Sequence, residues 1–217
     1  MQISRVNRSK SAAKRAYNRL SRVYDLLAGS SETQFMHLGL EMLSVSGGET
    51  VLEIGCGTGK AVWNLCHHTG RVYGLDLAPG MLQVAHERLL KDNLEGRVHL
   101  LCGDGAVLPY SNHSFSALFM SFTLELFDTL EIPLVLAECQ RVLQPGGRLG
   151  VVAMLKSDPP SLIVRLYEWF HEHFPTYVDC RPVDVEGMIQ AAGFRLEKRQ
   201  VRSMWGLPVE LVMASKV

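Results

Sequence analysis

One stretch constrains the fold more than any other. Val51-Leu52-Glu53-Ile54 is an apolar run broken only by Glu53, and it meets Gly55-Cys56-Gly57-Thr58-Gly59 before a helical pattern opens at Lys60. A strand, a glycine loop and a helix in that order open a βαβ unit, with the loop facing a ligand at the carboxyl end of the strand. Glycines there permit positive φ and remove Cβ atoms, so the backbone can come close to the ligand. The spacing separates one ligand class from another. A dinucleotide fingerprint starting at Gly55 requires glycine at position 60, where Lys60 stands; the pattern is instead E-x-G-x-G-x-G. Glu53 argues the same way, because a carboxylate beside the loop repels a phosphate and suits an ammonium such as that of a methionine moiety.

From residue 50 onward, short apolar runs alternate with helical patterns, as in βαβ units around a parallel sheet. Strands are expected at Thr50–Ile54, Arg71–Asp76, Arg97–Cys102, Ser116–Phe122, Arg148–Leu155, Phe194–Val201 and Val209–Ala214. Helices are expected at Lys60–His68, at Pro79–Lys91 and at Pro133–Leu143, the last stopping at Pro145-Gly146-Gly147. Two more follow, Ser161–His173, broken at Pro175, and Val183–Ala192. The last two strands are joined only by Met204-Trp205-Gly206-Leu207-Pro208, too short for a crossover helix, so they pair antiparallel. The expected class is α/β: a Rossmann-like three-layer sandwich around a seven-stranded, mostly parallel sheet whose last strand is antiparallel.

Length and charge bound the rest. A chain of 217 residues with 47% hydrophobic content fills one such domain and is short for two. No apolar run reaches the length of a membrane span, and the basic start does not read as a secretory signal, so a cytoplasmic location is expected. Five scattered cysteines, Cys56, Cys66, Cys102, Cys139 and Cys180, include no C-x-x-C pair and are expected as thiols. The net charge of zero hides an asymmetry: Arg5, Arg8, Lys10, Lys14, Arg15, Arg19 and Arg22 all precede the first acid, Asp25. In this arm Ala13, Ala16, Tyr17, Leu20, Val23, Tyr24 and Leu27 are spaced as one stripe of a helix, which either packs on the core or lies on an anionic membrane. Residues 1–48 are therefore expected to form a helical arm and lid, and residues 49–217 the ligand-binding domain.

Two acids join the glycine loop. Asp76 ends the second strand 21 positions after Gly55, where a carboxylate can accept both ribose hydroxyls of a bound nucleoside. Asp104 follows the third strand in Gly103-Asp104-Gly105-Ala106, placed to accept from an adenine amino group while Leu77, Met81 and Ala106 flank the ring. Three strand ends thus converge on one adenosine.

In these residues the chain resembles the class I S-adenosylmethionine-dependent methyltransferases, in particular the ubiquinone and menaquinone biosynthesis branch. The likeness rests on Tyr24-Asp25, on Leu52 to Gly59, on Gly74-Leu75-Asp76 and on Gly103-Asp104. It continues through Leu108-Pro109-Tyr110, Ser114-Phe115 and Arg141-Val142-Leu143-Gln144-Pro145-Gly146-Gly147. The resemblance implies S-adenosylmethionine as cofactor and S-adenosylhomocysteine as product. Glu53, Gly55, Cys56, Gly57, Gly59 and Gly105 belong to its binding set, with Asp76 on the ribose, Asp104 on the adenine, and Ser121 and Phe122 beside the methionine moiety and substrate. The chain departs from the branch at Ser116, where aspartate is usual, and over Ser121–Glu125, which lacks the arginine-asparagine segment of the quinone-methylating enzymes.

The expected reaction is in-line methyl transfer to a small-molecule acceptor, needing neither metal nor covalent intermediate. The acceptor reads as small and apolar, a prenylated quinol first and a phospholipid amine second, with Trp169, Phe170 and Phe174 as apolar walls. His171 and His173 are candidate bases; alternate positions on a helix point roughly 200° apart and cannot share a metal. Tyr24 is a candidate for closure over the cofactor or for catalysis. Nucleic acid is not expected, since no extended basic tract lies outside the arm, whereas peripheral membrane contact through the arm is. A non-catalytic S-adenosylmethionine-binding protein is the alternative.

Overall fold

A computed structural model describes residues 9–27, 29–156, 164 and 180–217 of the chain. Its centre is a seven-stranded sheet. In chain order the strands are β1 Thr50–Ile54, β2 Arg71–Asp76, β3 Val98–Cys102, β4 Phe115–Ser121, β5 Leu143–Met154, β6 Phe194–Met204 and β7 Leu207–Lys216. In space they lie β3-β2-β1-β4-β5-β7-β6, with β1 to β5 parallel and β7 antiparallel to both β5 and β6. The order turns back on itself between β1 and β4, and this is where open α/β sheets hold ligands.

The inner strands β1, β4, β5 and β7 are apolar on both faces because helices cover both, whereas the edge strands β3 and β6 are largely exposed. Val51, Val72, Ala117, Phe119 and Val152 share one core with α3 (Gly29–Leu43), α4 (Lys60–Leu65) and Leu89 of α5 (Pro79–Lys91). Their strand neighbours Leu52, Ile54, Leu118, Met120 and Val151 point the other way, into a second core with α6 (Ile132–Val142) and α7 (Val185–Ala191). Residues two apart share a face, as the pleat requires.

Several expected boundaries move. The segment Pro145-Gly146-Gly147 does not separate helix from strand: β5 begins at Leu143 and runs through it. A bulge absorbs the irregularity, since the register on β4 jumps from Phe115↔Leu143 to Ala117↔Arg148 while Gly146 takes a φ of 73°. The link between the last strands is two residues, Trp205 and Gly206, both at positive φ (51° and 85°), so β6 and β7 are each longer than expected. Helix α4 ends at Leu65, three residues early, and Asp184 caps α7 by accepting from the Gly187 amide at 3.0 Å.

The arm is not one helix. Ser9 caps α1 (Lys10–Leu20) by accepting from the Ala12 amide, a turn follows at Ser21, and α2 spans Tyr24–Leu27. Val23, expected in the apolar stripe, is 47% exposed because it falls in that turn. Helix α3 is part of the main core, with Phe35, Met36, Leu40 and Leu43 buried against the sheet. The expected helix Ser161–His173, with Trp169, Phe170, His171, His173 and Phe174, lies outside the described residues. Among the described residues no helix is long and apolar enough to cross a membrane.

Candidate active site

The pocket lies across the carboxyl ends of β1, β2 and β3, and its floor is fixed by the loop after β1. The Gly55 and Cys56 amides both donate to the Leu75 carbonyl at the end of β2, at 2.7 and 3.0 Å, which turns the chain sharply out of the sheet. Gly55 sits at φ 74°, and a Cβ there would stand 2.3 Å from Thr123 Cγ2, so the position is closed to other residues on two counts. Gly59 serves differently. It is the N-cap of α4 at φ 77°, and a Cβ would meet Ala85 Cβ at 2.7 Å, so it seats α4 on α5 and stands outside the pocket lining.

Asp76 ties the floor together. One oxygen accepts from the Gly57 amide and the other from its own turn at Ala78, each at 2.8 Å. Burial raises its pKa, and these two amides hold the rise back. Glu53 is more extreme: it is 4% exposed, and among the described residues its Oε2 is buried with no hydrogen-bond partner. Burial pushes its pKa well above the usual carboxylate range, Val62 supplying an opposing backbone hydrogen bond and Asp76 a like charge. A buried acceptor facing a pocket without a donor is costly, and a cationic ligand group relieves the cost.

Asp104 accepts from the Ala106 amide at 3.0 Å through one oxygen and from Lys10 Nζ at 2.5 Å through the other. The same ammonium reaches Glu131 Oε1 at 2.7 Å. Burial alone would lower the Lys10 pKa, but the hydrogen bonds and charges of Asp104 and Glu131 outweigh it and raise it. A donor from the arm thus stands where the sequence reading puts an adenine amino group. Leu77, Met81 and Gly105 line the pocket as expected, whereas Ala106 packs away from it against the second core and contributes its amide alone.

Ser121 and Phe122 line the far wall. Phe122 adopts φ 50°, uncommon for a bulky residue, and its amide donates to the Val152 carbonyl at 2.7 Å. Such strain, about 1–3 kcal/mol, persists where surrounding structure over-determines it, and here it aims the chain from β4 across the pocket. Thr123 follows, its hydroxyl donating to the Ser121 carbonyl at 3.0 Å while its side chain fills the space over Gly55.

The roof comes from the arm. Tyr17 and Tyr24 line the pocket with ring centroids 6.1 Å apart. Asp25 latches the arm to the floor: it accepts from the Thr58 hydroxyl at 2.6 Å, pairs with Arg88, and lies 3.4 Å from Lys60 Nζ. Asn18 accepts from the Gly80 amide at 2.8 Å, at the open end of α5. Sequence reading missed Lys10, Tyr17, Asp25 and Glu131 as pocket residues. It also missed Arg181, fully buried, which donates to the carbonyls of Glu125 and Phe127 (3.1 and 2.6 Å) and to Thr129 Oγ1 (2.9 Å). Burial lowers its pKa, opposed by the charges of Asp128 and Glu125, and its hydrogen bonds brace the loop that carries Leu126 and Phe127 into the pocket. These partners lie 52 to 56 positions away in sequence, beyond any local pattern.

An open α/β sheet with a nucleoside-sized site across three strand ends defines a nucleoside-binding domain, and the orphaned Glu53 oxygen fits an ammonium on that nucleoside better than a phosphate. Comparison with known proteins narrows this. A family described as methyltransferase domain matches residues 51–147. The chain is 32% identical over 162 residues to a demethylmenaquinone methyltransferase of Tropheryma whipplei (strain Twist), covering 72% of the chain and 64% of that protein. It is 29% identical over 182 residues to one of Corynebacterium kroppenstedtii, covering 82% and 75%. Among solved structures it superposes on the [4+2]-cyclase SpnF with a TM-score of 0.78 at 18% identity, over 96% of the chain and 97% of the other. These likenesses are to class I S-adenosylmethionine-dependent methyltransferases, the methyltransferase-domain match spanning residues 51–147. The chain spans just under two thirds of the Tropheryma protein's length.

Proposed function

We propose that the protein transfers the methyl group of S-adenosylmethionine to a small, largely apolar acceptor, with a prenylated quinol ahead of a phospholipid amine. The observation that carries the reading is Glu53 Oε2, a buried acceptor with no donor among the described residues, in the same pocket as Asp76 and Asp104. Bound there, S-adenosylmethionine supplies a methyl group activated by its sulfonium. Glu53 would receive its ammonium, Asp76 its ribose hydroxyls and Asp104 its adenine amino group, the last requiring Lys10 to share or release that carboxylate. Tyr17, Met36, Phe122 and Phe127 give the remaining wall an apolar, aromatic character that suits a ring and excludes water. Tyr24 closes the roof beside them. The demethylmenaquinone methyltransferases named above support a quinol as acceptor.

Fold alone does not establish the transfer, since one chain of this fold is named a cyclase. The alternative, a protein that binds the cofactor without transferring its methyl, is separated by two measurements. Calorimetry with S-adenosylmethionine, S-adenosylhomocysteine and NAD reads the site. A screen with methyl-labelled S-adenosylmethionine across demethylquinols, phospholipid amines, small thiols and polar amines reads the chemistry. Binding of the adenosyl ligands with label appearing in an apolar acceptor is expected. Tight NAD binding without either adenosyl ligand would overturn the site, and activity confined to polar soluble acceptors would overturn the acceptor.

A further inference from the structure

The pocket opens on the edge of the sheet formed by the carboxyl ends of β1 to β5. The β6–β7 turn lies on that same edge, because β7 runs antiparallel and starts beside the end of β5, Val209 pairing with Met154. At its tip Trp205 is 75% exposed and holds φ 51°, a conformation that asparagine or glycine adopts more readily than tryptophan. A solvated indole at a strained turn position gains nothing from folding. Helix α1 lies on that edge too, held by Lys10 to Asp104 after β3 and by Asn18 to Gly80 after β2. Its outward side carries exposed Arg15 and Arg19, with Arg22 and half-exposed Val23 just beyond, and no acid occurs before Asp25. In the sheet order β2 and β6 are five steps apart, roughly 24 Å at the spacing of neighbouring strands. The cationic helix and the tryptophan tip therefore stand on the same edge of the sheet as the pocket, α1 over β2 and β3 and Trp205 at the far end of the strand order.

We propose that this edge is a membrane-docking face, on which Trp205 enters the headgroup region and Arg15, Arg19 and Arg22 meet anionic lipid. Indoles favour the bilayer interface, and clustered arginines are drawn to anionic headgroups with a strength that falls with salt. The protein as a whole has no net charge, so the attraction depends on the local cluster of exposed arginines on and just after α1. Docking presents the mouth of the pocket to the layer where apolar acceptors reside. The inference goes beyond the methyl-transfer reading, and its vesicle-binding test needs neither cofactor nor acceptor.

The experiment is co-sedimentation of the full chain with phosphatidylglycerol–phosphatidylcholine vesicles and with pure phosphatidylcholine vesicles, at low and high salt. Wild type is expected to bind the anionic vesicles at least tenfold more tightly than the neutral ones and to release as salt rises. The R15E/R19E double variant should lose this preference. W205N should weaken binding several-fold while keeping the circular dichroism and thermal midpoint of wild type, since asparagine suits the turn. Absence of wild-type binding to anionic vesicles at low salt, or equal binding by wild type and both variants, would overturn the proposal. Methyl transfer to a soluble short-chain acceptor should be unchanged in W205N, which keeps a failure of docking distinct from a failure of the active site.

Discussion

The floor and the roof of the pocket are built on different principles. The acids of the floor stand at strand ends: Glu53 on β1 and Asp76 at the end of β2, strands with buried residues in both cores, and Asp104 just after the edge strand β3, whose register is set by its pairing with β2. The roof is a pair of short helices whose side-chain contacts among the described residues include Lys10 to Asp104 and Glu131, Asn18 to Gly80, and Asp25 to the loop residues and Arg88. Its latching groups are about a third exposed, where ion pairs are screened and each contributes little. The floor is thus expected to stay rigid, and the roof to leave without unfolding the domain. Breaking the floor should cost fold or affinity, and breaking the roof should cost closure.

The largest effect is expected inside the glycine loop. In Gly55→Ala the new Cβ meets Thr123 and the backbone sits in the left-handed region, so overpacking and strain together should cost about 2–4 kcal/mol of stability. Gly57→Ala, also at positive φ (51°) but with open space where its Cβ would point, should cost about 1 kcal/mol. Urea midpoints of the two variants measure the difference; equal losses would mean that Thr123 yields and the floor is softer than its packing implies.

Next is Asp76→Ala, which should weaken S-adenosylhomocysteine binding by about 1.5–3 kcal/mol, the usual cost of losing hydrogen bonds to a charged group. Folding should survive, because Asp76 sits at the end of its strand and the core beneath is untouched. Unaltered affinity in calorimetry would place the ribose elsewhere.

Glu53 gives the floor a pH signature. Its folded pKa is raised, so as pH rises the unfolded chain loses this proton first, and the ligand-free protein loses stability between the ordinary glutamate range and the folded value. A bound ammonium favours the carboxylate, so ligand binding in that window should release a proton. Affinity for S-adenosylhomocysteine should then climb with pH by up to about tenfold per unit, which is about 1.4 kcal/mol. Glu53→Gln should flatten the profile and abolish the proton release seen by calorimetry in two buffers of different ionisation enthalpy. A profile unchanged by the substitution would remove Glu53 from the ammonium site.

The same contrast explains what was legible in the sequence. Strands β1 and β2 and helix α5 were read with their bounds, because each is a short apolar or amphipathic run with its own punctuation, glycine after β1 and proline at the start of α5. Glu53, Asp76 and Asp104 followed from their places at strand ends. Pro145-Gly146-Gly147 misled, since the same residues that stop a helix also fit a bulge at the start of a strand. Gly59 is expected in the pocket as part of the glycine loop and Ala106 as a flank of the adenine ring; in the structure the glycine faces α5 and the alanine faces the core. The roof was legible only as an amphipathic arm with a tyrosine. Lys10 meets Asp104 across 94 positions and Arg88 meets Asp25 across 63, and no local periodicity encodes which cation finds which acid.

The smallest and most selective effect is expected at Asp25. Its carboxylate joins the arm to Thr58, Lys60 and Arg88 at once, so Asp25→Ala removes the latch that binds arm to floor while leaving the two sheet cores intact. With these groups part-exposed, the loss in global stability should stay within about 1 kcal/mol. Local opening should change far more, because a short helix held by few contacts separates from its domain at low cost. Trypsin reads this directly, since Arg15, Arg19 and Arg22 lie in the arm. In the absence of ligand the variant should be cut there several-fold faster than wild type, with the domain itself protected. S-adenosylhomocysteine should slow cleavage in wild type if the arm closes over an occupied pocket, and should restore less protection in the variant. Equal cleavage of both proteins, with and without ligand, would show that the arm is as firmly part of the fold as the floor, and the distinction between the two would fail.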